Sequence, residues 1–370
     1  MFITIFSFIA ILAVLVLAHE WGHFFAARRL GVAVEEFGFG FPPRAWGFIK
    51  NGVRYTINWL PLGGFVKLKG ESGEAKGEAD SFSAQPAWRR SIILTAGVSM
   101  NVVLAAVLLS IGFAVGFPTV LDESQLTKAK DVKIQVMSVV ASSPAAAADL
   151  KPGDIIESIN EQKFDTLTDL QNYVADKVGT TVPVMVRRGD ELLKKDIAPA
   201  KLAATGTRAV MGVSLVQSGI ISYPWYEAVW RGIEQTWYLT VAIVVAFGDL
   251  FRNLLIHQQV PQDISGPVGI AVLTGQVVQL GFIYVLQFAA LLSLNLAIIN
   301  ILPFPALDGG RLLFVIIEKL RRKPNNERVE AMVHNIGFAL LMLLVLVVTY
   351  RDILRFGGGF ISSFSKLWGS

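Results

Sequence analysis

Apolar runs long enough to cross a lipid bilayer constrain this chain more than anything else in it. A hydrocarbon core takes about 20 helical residues to cross. Phe2 to Ala27, Ser91 to Phe117, and Ile336 to Tyr350 with its flanks answer to that description. Phe282 to Leu302 is equally apolar but carries Asn295 and Asn300. The first run lacks a basic start and continues into His19-Glu20-Trp21-Gly22-His23 rather than a small-residue cleavage site. It therefore reads as a retained transmembrane helix, not a signal peptide. Composition agrees: 53% of the 370 residues are hydrophobic and only 17% charged, with a mean hydropathy of +0.53. That is too little charge to cover a soluble surface. A net charge of +4 gives no reason to expect nucleic acid as a partner. With no cysteine, disulfides, thiolate metal ligands and a cysteine nucleophile are excluded.

Basic residues beside the apolar runs set the expected topology. Arg28, Arg29, Arg89 and Arg90 bracket a cytoplasmic first loop, and Lys319, Arg321, Arg322, Lys323 and Arg328 keep the loop before the last span inside. The single crossing at Phe282 to Leu302 joins the two sides. A crossing at Tyr223 to Phe251, which carries Glu227, Arg231, Glu234 and Asp249, would break that parity, so it reads as an interfacial, amphipathic helix. Between the first two spans, Glu35 to Gly70 alternates β-formers with Gly, Pro and aromatic residues, which predicts strands or a hairpin.

From about Pro118 to Val216 the composition becomes that of a soluble α/β module. Strands are expected at Val132 to Val140 and Val182 to Arg187, and a helix at Leu167 to Val178. Ser143-Pro144-Ala145-Ala146-Ala147-Ala148-Asp149-Leu150-Lys151-Pro152-Gly153-Asp154 gives a Ser-Pro helix start and a Lys-Pro-Gly-Asp stop, and the run resembles a bacterial PDZ domain. Asp149 and Glu161 stand where glycine is common in that pattern. The PDZ module is either a peptide receptor or a passive spacer.

His19-Glu20-Trp21-Gly22-His23 is a HExxH motif. Residues four apart share a helix face, so both imidazoles reach one zinc ion. Glu20 stands beside the first of them, placed to act as general base on a zinc-activated water. The alternative is a metal-free pair of histidines, but two His and a Glu in an apolar span are expensive unless used. A catalytic zinc needs a third protein ligand. Of the other histidines, His257 falls in the connector and His334 at the start of the last helix. Asp308 is the better candidate, because it follows an apolar span on the cytoplasmic side that His19 and His23 approach; the competing reading is a turn or cap carboxylate before Gly309-Gly310. Asn101, Asn295 and Asn300 are open to interhelical hydrogen bonding. For Asn300 a second role is to hold freed substrate backbone, with Pro303 and Pro305 keeping the enzyme's own helix from continuing there.

HExxH in the first span, Leu307-Asp308-Gly309 after a later one, and an inserted PDZ-like module together resemble the site-2 protease family, and within it the bacterial regulator-of-sigma-E protease group. Family-like stretches include Leu60 to Lys67, Gly97 to Asn101, Ile264 to Gly269 and Ser293 to Gly310. The resemblance implies that His19, His23 and Asp308 bind Zn2+, that Glu20 is catalytic, and that Asn300, Pro303 and Pro305 shape the substrate site. It also implies that residues 35–70 form a membrane-re-entrant β-hairpin. Some members carry two PDZ modules; this chain has room for one.

The expected fold is a polytopic α-helical membrane protein with four transmembrane helices, a re-entrant β-hairpin and one inserted extracytoplasmic PDZ-like α/β domain. Its parts are an N-terminal membrane half (1–117), the PDZ-like domain (118–216), a connector with the interfacial helix (217–281) and a C-terminal membrane half (282–370). The expected function is zinc-dependent cleavage of single-pass membrane proteins already shortened by another protease, such as anti-sigma factors or remnant signal peptides. The expected setting is the lipid bilayer of a bacterial inner membrane, with the PDZ module free to bind a peptide. The rivals are a zinc protease of soluble cytoplasmic loops, a non-catalytic PDZ adaptor, which has no need of Glu20, and a zinc transporter.

Overall fold

The computed structural model describes residues 2–71, 78–122, 125–127, 129–140, 142–189, 191–201, 209–257 and 266–365. The chain forms two compact units, one of Met1–Gly112 with Val229–Ser370 and the other of Phe113–Ala228. The second encloses the 118–216 segment that the sequence marks as PDZ-like.

In the first unit, helix α1 (Phe2–Arg29) carries the HExxH motif and ends on Arg28 and Arg29. Gly31, at φ +82°, turns the chain out of it, and Val32 N–H closes back on the Ala27 carbonyl at 2.9 Å. Strands β1 (Val34–Lys50) and β2 (Val53–Leu68) follow as an antiparallel hairpin. Its tip is Asn51-Gly52, both at positive φ, as a tight hairpin turn requires. Residues 36–39 of β1 pair with both 64–67 and 54–57, so the two long strands bend back over one another. Phe24, Phe37 and Tyr55 pack the hairpin base onto α1 with ring centroids 5.5–6.3 Å apart. Farther along the strands, Trp46, Ile49, Trp59 and Leu60 are exposed. Helix α2 (Ala87–Val115) comes next.

The second unit contains β3 (Phe117–Val120), β4 (Lys130–Val139), α3 (Pro144–Ala147), β5 (Ile155–Ile159), α4 (Leu167–Ala175), β6 (Val182–Arg188), β7 (Glu191–Ile197), β8 (Ala200–Lys201), β9 (Ala209–Val210) and β10 (Val213–Ile221). Six of these strands form one sheet in the order β3-β10-β4-β5-β6-β7, with β8 and β9 paired separately. Ser143 caps α3 by accepting the Ala146 N–H, and Thr166 caps α4 by accepting that of Asp169. Ile134, Val136, Ala145, Ile156, Leu170, Val174, Val184 and Ile197 form the core. Asp149 and Glu161, both standing where glycine is common, have φ of +56° and +65°. The positions demand the left-handed backbone that glycine adopts most cheaply. Asp149 holds its own through ion pairs with Lys195 at 3.2 Å and Arg188 at 3.4 Å.

Helix α5 (Trp225–Arg252) follows, extended by a π turn at Asn253–His257, then α6 (Pro267–Leu280), α7 (Phe282–Ile301), α8 (Asp308–Arg321) and α9 (Glu327–Ser365). Among the described residues four helices are long and apolar enough to cross a membrane: Ile3–Arg29, Ala87–Val115, Phe282–Ile301 and Arg328–Arg355. These are the four expected runs. The sequence reading contained no helix at α6. Gly275 brings α6 against Thr4 of α1, and the buried Asp352 of α9 accepts the Gly269 N–H at 2.7 Å in its first turn. Ile11 and Leu15 of α1 pack against Ala289 of α7, the helix that leads into the turn carrying Asp308.

Candidate metal centre

α1 and the start of α8 bring three ligating atoms to one point. His19 Nε2 lies 3.0 Å from Asp308 Oδ2, His23 Nε2 lies 3.2 Å from the same oxygen, and the two nitrogens are 3.2 Å apart. Both imidazoles are buried and Asp308 nearly so. A tetrahedral zinc with bonds of about 2.0–2.1 Å sets its ligand atoms about 3.3–3.4 Å apart. The triangle fits that ion closely.

The chemistry of the donors fits as well. His23 Nδ1 faces the Ile93 carbonyl at 2.8 Å. A carbonyl only accepts, so Nδ1 carries the hydrogen and the neutral ring turns a lone pair at Nε2 towards the cluster. Asp308 Oδ2 is buried with no aligned donor. Lone pairs from three sides, one of them anionic, are stable at this separation when a cation lies between them.

Close approach of the helices makes the cluster possible. A Cβ on Gly97 of α2 would fall 2.8 Å from His19 Cε1 and from His23 Cδ2, so only glycine leaves room for both rings. Gly309 and Gly310 likewise let the first turn of α8 lie against the carbonyls of Ile301, Leu302 and Phe304. Asp308 is the first residue of α8, and Leu307 occupies the cap position without a side-chain bond. Its carboxylate meets the imidazoles instead of capping its own helix.

Glu20 is half-buried one residue from His19. Gly64 of β2 passes over it, where a Cβ would lie 3.3 Å from Glu20 Cγ. Asn300 Nδ2 is 3.5 Å from His19 Nε2, beside the cluster but at the limit of a hydrogen bond. Pro303 and Pro305 lie in the turn between α7 and α8, where Ala306 has φ +78° and donates its N–H to His334 Nδ1 at 2.9 Å. His334 therefore braces the turn that carries Asp308. The His257 side chain lies outside the described residues.

Three residues stand at the cluster in roles that the sequence does not reveal. Asn101 makes the expected interhelical contact, with its Nδ2 3.3 Å from His19 Nδ1, which places it beside the cluster; Gly97 and His334 are the others. A lone polar residue in an apolar span was the only available signal for Asn101. Among the described residues Asn295 bonds within its own helix, donating to the Leu291 carbonyl at 2.9 Å.

The model of peptidase family M50 matches residues 7–344. Zinc metalloprotease RasP of Geobacillus kaustophilus is 32% identical over 435 residues, spanning 95% of this chain and 98% of the relative. Regulator of sigma-W protease RasP of Bacillus subtilis is 32% identical over 437 residues, with the same shares covered. A solved PDZ domain of an SdrC-like protein from Listeria monocytogenes is 32% identical over 22% of this chain and 85% of its own, with a TM-score of 0.21. The HExxH helix, the Leu-Asp-Gly turn and a family match over most of the chain agree: the chain belongs to peptidase family M50, the site-2 proteases.

Proposed function

We propose that the chain is an intramembrane zinc endopeptidase in which His19, His23 and Asp308 hold the metal and Glu20 is the general base. The observation that carries this reading is the convergence of two Nε2 atoms and one carboxylate oxygen within 3.2 Å of each other, the two histidines on a helix apolar enough to span a bilayer. Bound zinc supplies Lewis-acid polarisation and brings water towards ionisation at neutral pH. Glu20 takes the proton of the attacking water and delivers it to the leaving amine nitrogen.

A peptide bond inside a transmembrane helix is shielded by its own hydrogen bonds and has to be unwound before attack. Among the described residues, 64–67 of β2 are paired on one side only, with β1, and Gly64 lies over Glu20. This edge takes the unwound substrate by strand addition. Asn300, beside His19, and the Pro303–Pro305 turn flank the position the scissile segment would occupy. The exposed Trp46, Ile49, Trp59 and Leu60 suit a hairpin dipping into the bilayer. In this reading the substrates are single-pass membrane proteins trimmed beforehand, of the anti-sigma-factor or remnant-signal-peptide kind. The membrane is the bacterial inner membrane, with the PDZ-like unit outside and the active site towards the cytoplasm.

The test is cleavage of a tagged single-pass substrate in detergent by wild type, Glu20→Gln and Asp308→Ala, with zinc measured on each. Wild type should cut within the apolar segment, Glu20→Gln should keep zinc and lose activity, and Asp308→Ala should lose both. Equal cutting by Glu20→Gln would refute the general-base role, and a wild type that holds no zinc and cuts nothing would make a non-catalytic PDZ adaptor the leading alternative.

A further inference from the structure

Asn101 sits mid-way along α2 with no exposed surface, and its side chain is aimed at a proposed metal ligand. Its Nδ2 is 3.3 Å from His19 Nδ1, while Oδ1, equally buried, has no hydrogen-bond partner among the described residues. The two ends of an amide have the same shape, so the chemistry of the neighbour decides which end faces it.

That neighbour is constrained. His19 turns Nε2 into the cluster with His23 Nε2 and Asp308 Oδ2. A neutral imidazole that offers a lone pair at Nε2 keeps its hydrogen on Nδ1. An amide NH2 facing that N–H would set donor against donor, whereas Oδ1 facing it makes a hydrogen bond. His23 has the equivalent arrangement, its Nδ1–H held by the Ile93 carbonyl on the same helix, α2.

We propose that Asn101 is the positioning residue for His19: its amide oxygen accepts the Nδ1–H and fixes the ring's tautomer and direction towards zinc. This inference rests on the zinc reading above. α2 would thus support both histidines of α1, one through a backbone carbonyl and one through a side chain. Asn101 is itself anchored, because Ser293 of α7, fully buried, donates its hydroxyl to the Asn101 carbonyl at 2.8 Å. A packing amide between helices accounts for the burial of Asn101 but not for its alignment with the second nitrogen of a ligand ring. Outer partners of this kind typically change metal affinity by about 10–100-fold when removed.

The experiment compares full-length wild type, Asn101→Leu and Asn101→Asp in detergent, reading zinc affinity by competition with a chelator and thermal unfolding of the zinc-free protein. Leu neither donates nor accepts; Asp accepts the Nδ1–H but offers the ring no donor. The proposal expects Asn101→Leu to bind zinc about 10–100-fold more weakly and Asn101→Asp to stay within about threefold of wild type, the allowance made for a carboxylate in the same outer role. If Asn101→Asp weakens zinc as much as Asn101→Leu, the amide donates and the proposal is overturned. If neither variant changes zinc affinity and only unfolding moves, Asn101 is a packing residue and the proposal is equally overturned. Should Asn101→Leu fail to fold, Asn101→Ala replaces it with the same expectations. A wild type that binds no zinc would instead remove the metal reading, before any variant is considered.

Discussion

Two imidazole nitrogens and one carboxylate oxygen meet because glycine stands where a side chain would block them. Gly97→Val should therefore lower zinc occupancy and cleavage by about tenfold or more, a loss of the size that follows disturbance of ligand orientation, measured as zinc per chain and substrate turnover. Unchanged zinc in that variant would show that the rings have another way to converge. Away from the metal, the buried Asp154 of the PDZ-like unit is gripped by Arg188 at 2.8 and 2.9 Å and by the Lys151 N–H at 2.9 Å. Burial raises its carboxyl, but Arg188 and that N–H outweigh burial and hold it below its ordinary value. A depressed carboxyl stabilises the fold above its unfolded pKa of about 3.9 and loses that contribution as pH falls through the lower folded value. Arg188→Leu should cost about 2 kcal/mol at neutral pH and flatten the acid limb, as read by thermal unfolding between pH 3 and 7. The meeting of His19 and His23 was legible in the sequence because the four-residue spacing fixes a shared face. Asp308 was legible from its place after a span. Asn101 was not, since a buried asparagine in an apolar helix does not announce which neighbour it faces.

At the level of elements, the turn between α7 and α8 is braced by α9. His334 accepts the Ala306 N–H at 2.9 Å where the backbone is left-handed, and Gly337 lets α9 lie against Pro305. His334→Leu removes that acceptor and should loosen the segment carrying Asp308, lowering zinc affinity by about tenfold by analogy with other outer-shell losses. Ala306→Gly in the same background should restore part of it, because glycine adopts this backbone without strain. Chelator competition reads both, and no change in either would make the brace incidental. The four long helices were evident from apolar length alone. α6 was missed because 14 residues fall short of a span and because its packing depends on Thr4 and Asp352, distant in sequence. β3 escaped for a similar reason: it pairs with β10, with Phe117 opposite Ile221, and no local pattern announces a partner so far along the chain. The pairing also bears on peptide binding. β3 and the Leu121 N–H occupy the edge of β10 from Gln217 to Ile221, so a strand-adding peptide would find only the residues before Gln217 free of it.

For the whole molecule, the lack of cysteine in the sequence gives a clean background for topology. Single cysteines at the exposed positions Lys163 and Lys323 should differ in intact cells. Lys163→Cys should react with a membrane-impermeant maleimide and Lys323→Cys only after lysis. Equal labelling of both would contradict the proposed sidedness. The class of molecule was readable because charge and apolar length are summed over the chain, whereas substrate choice depends on contacts that no composition encodes. Zinc-edge X-ray absorption on the purified chain asks whether His19, His23 and Asp308 hold one zinc between them. The expected result is one zinc per chain, in wild type and in Glu20→Gln alike, bound by two imidazole nitrogens, and loss of that signal in Asp308→Ala. A chain without zinc, or a spectrum unchanged in Asp308→Ala, would contradict it.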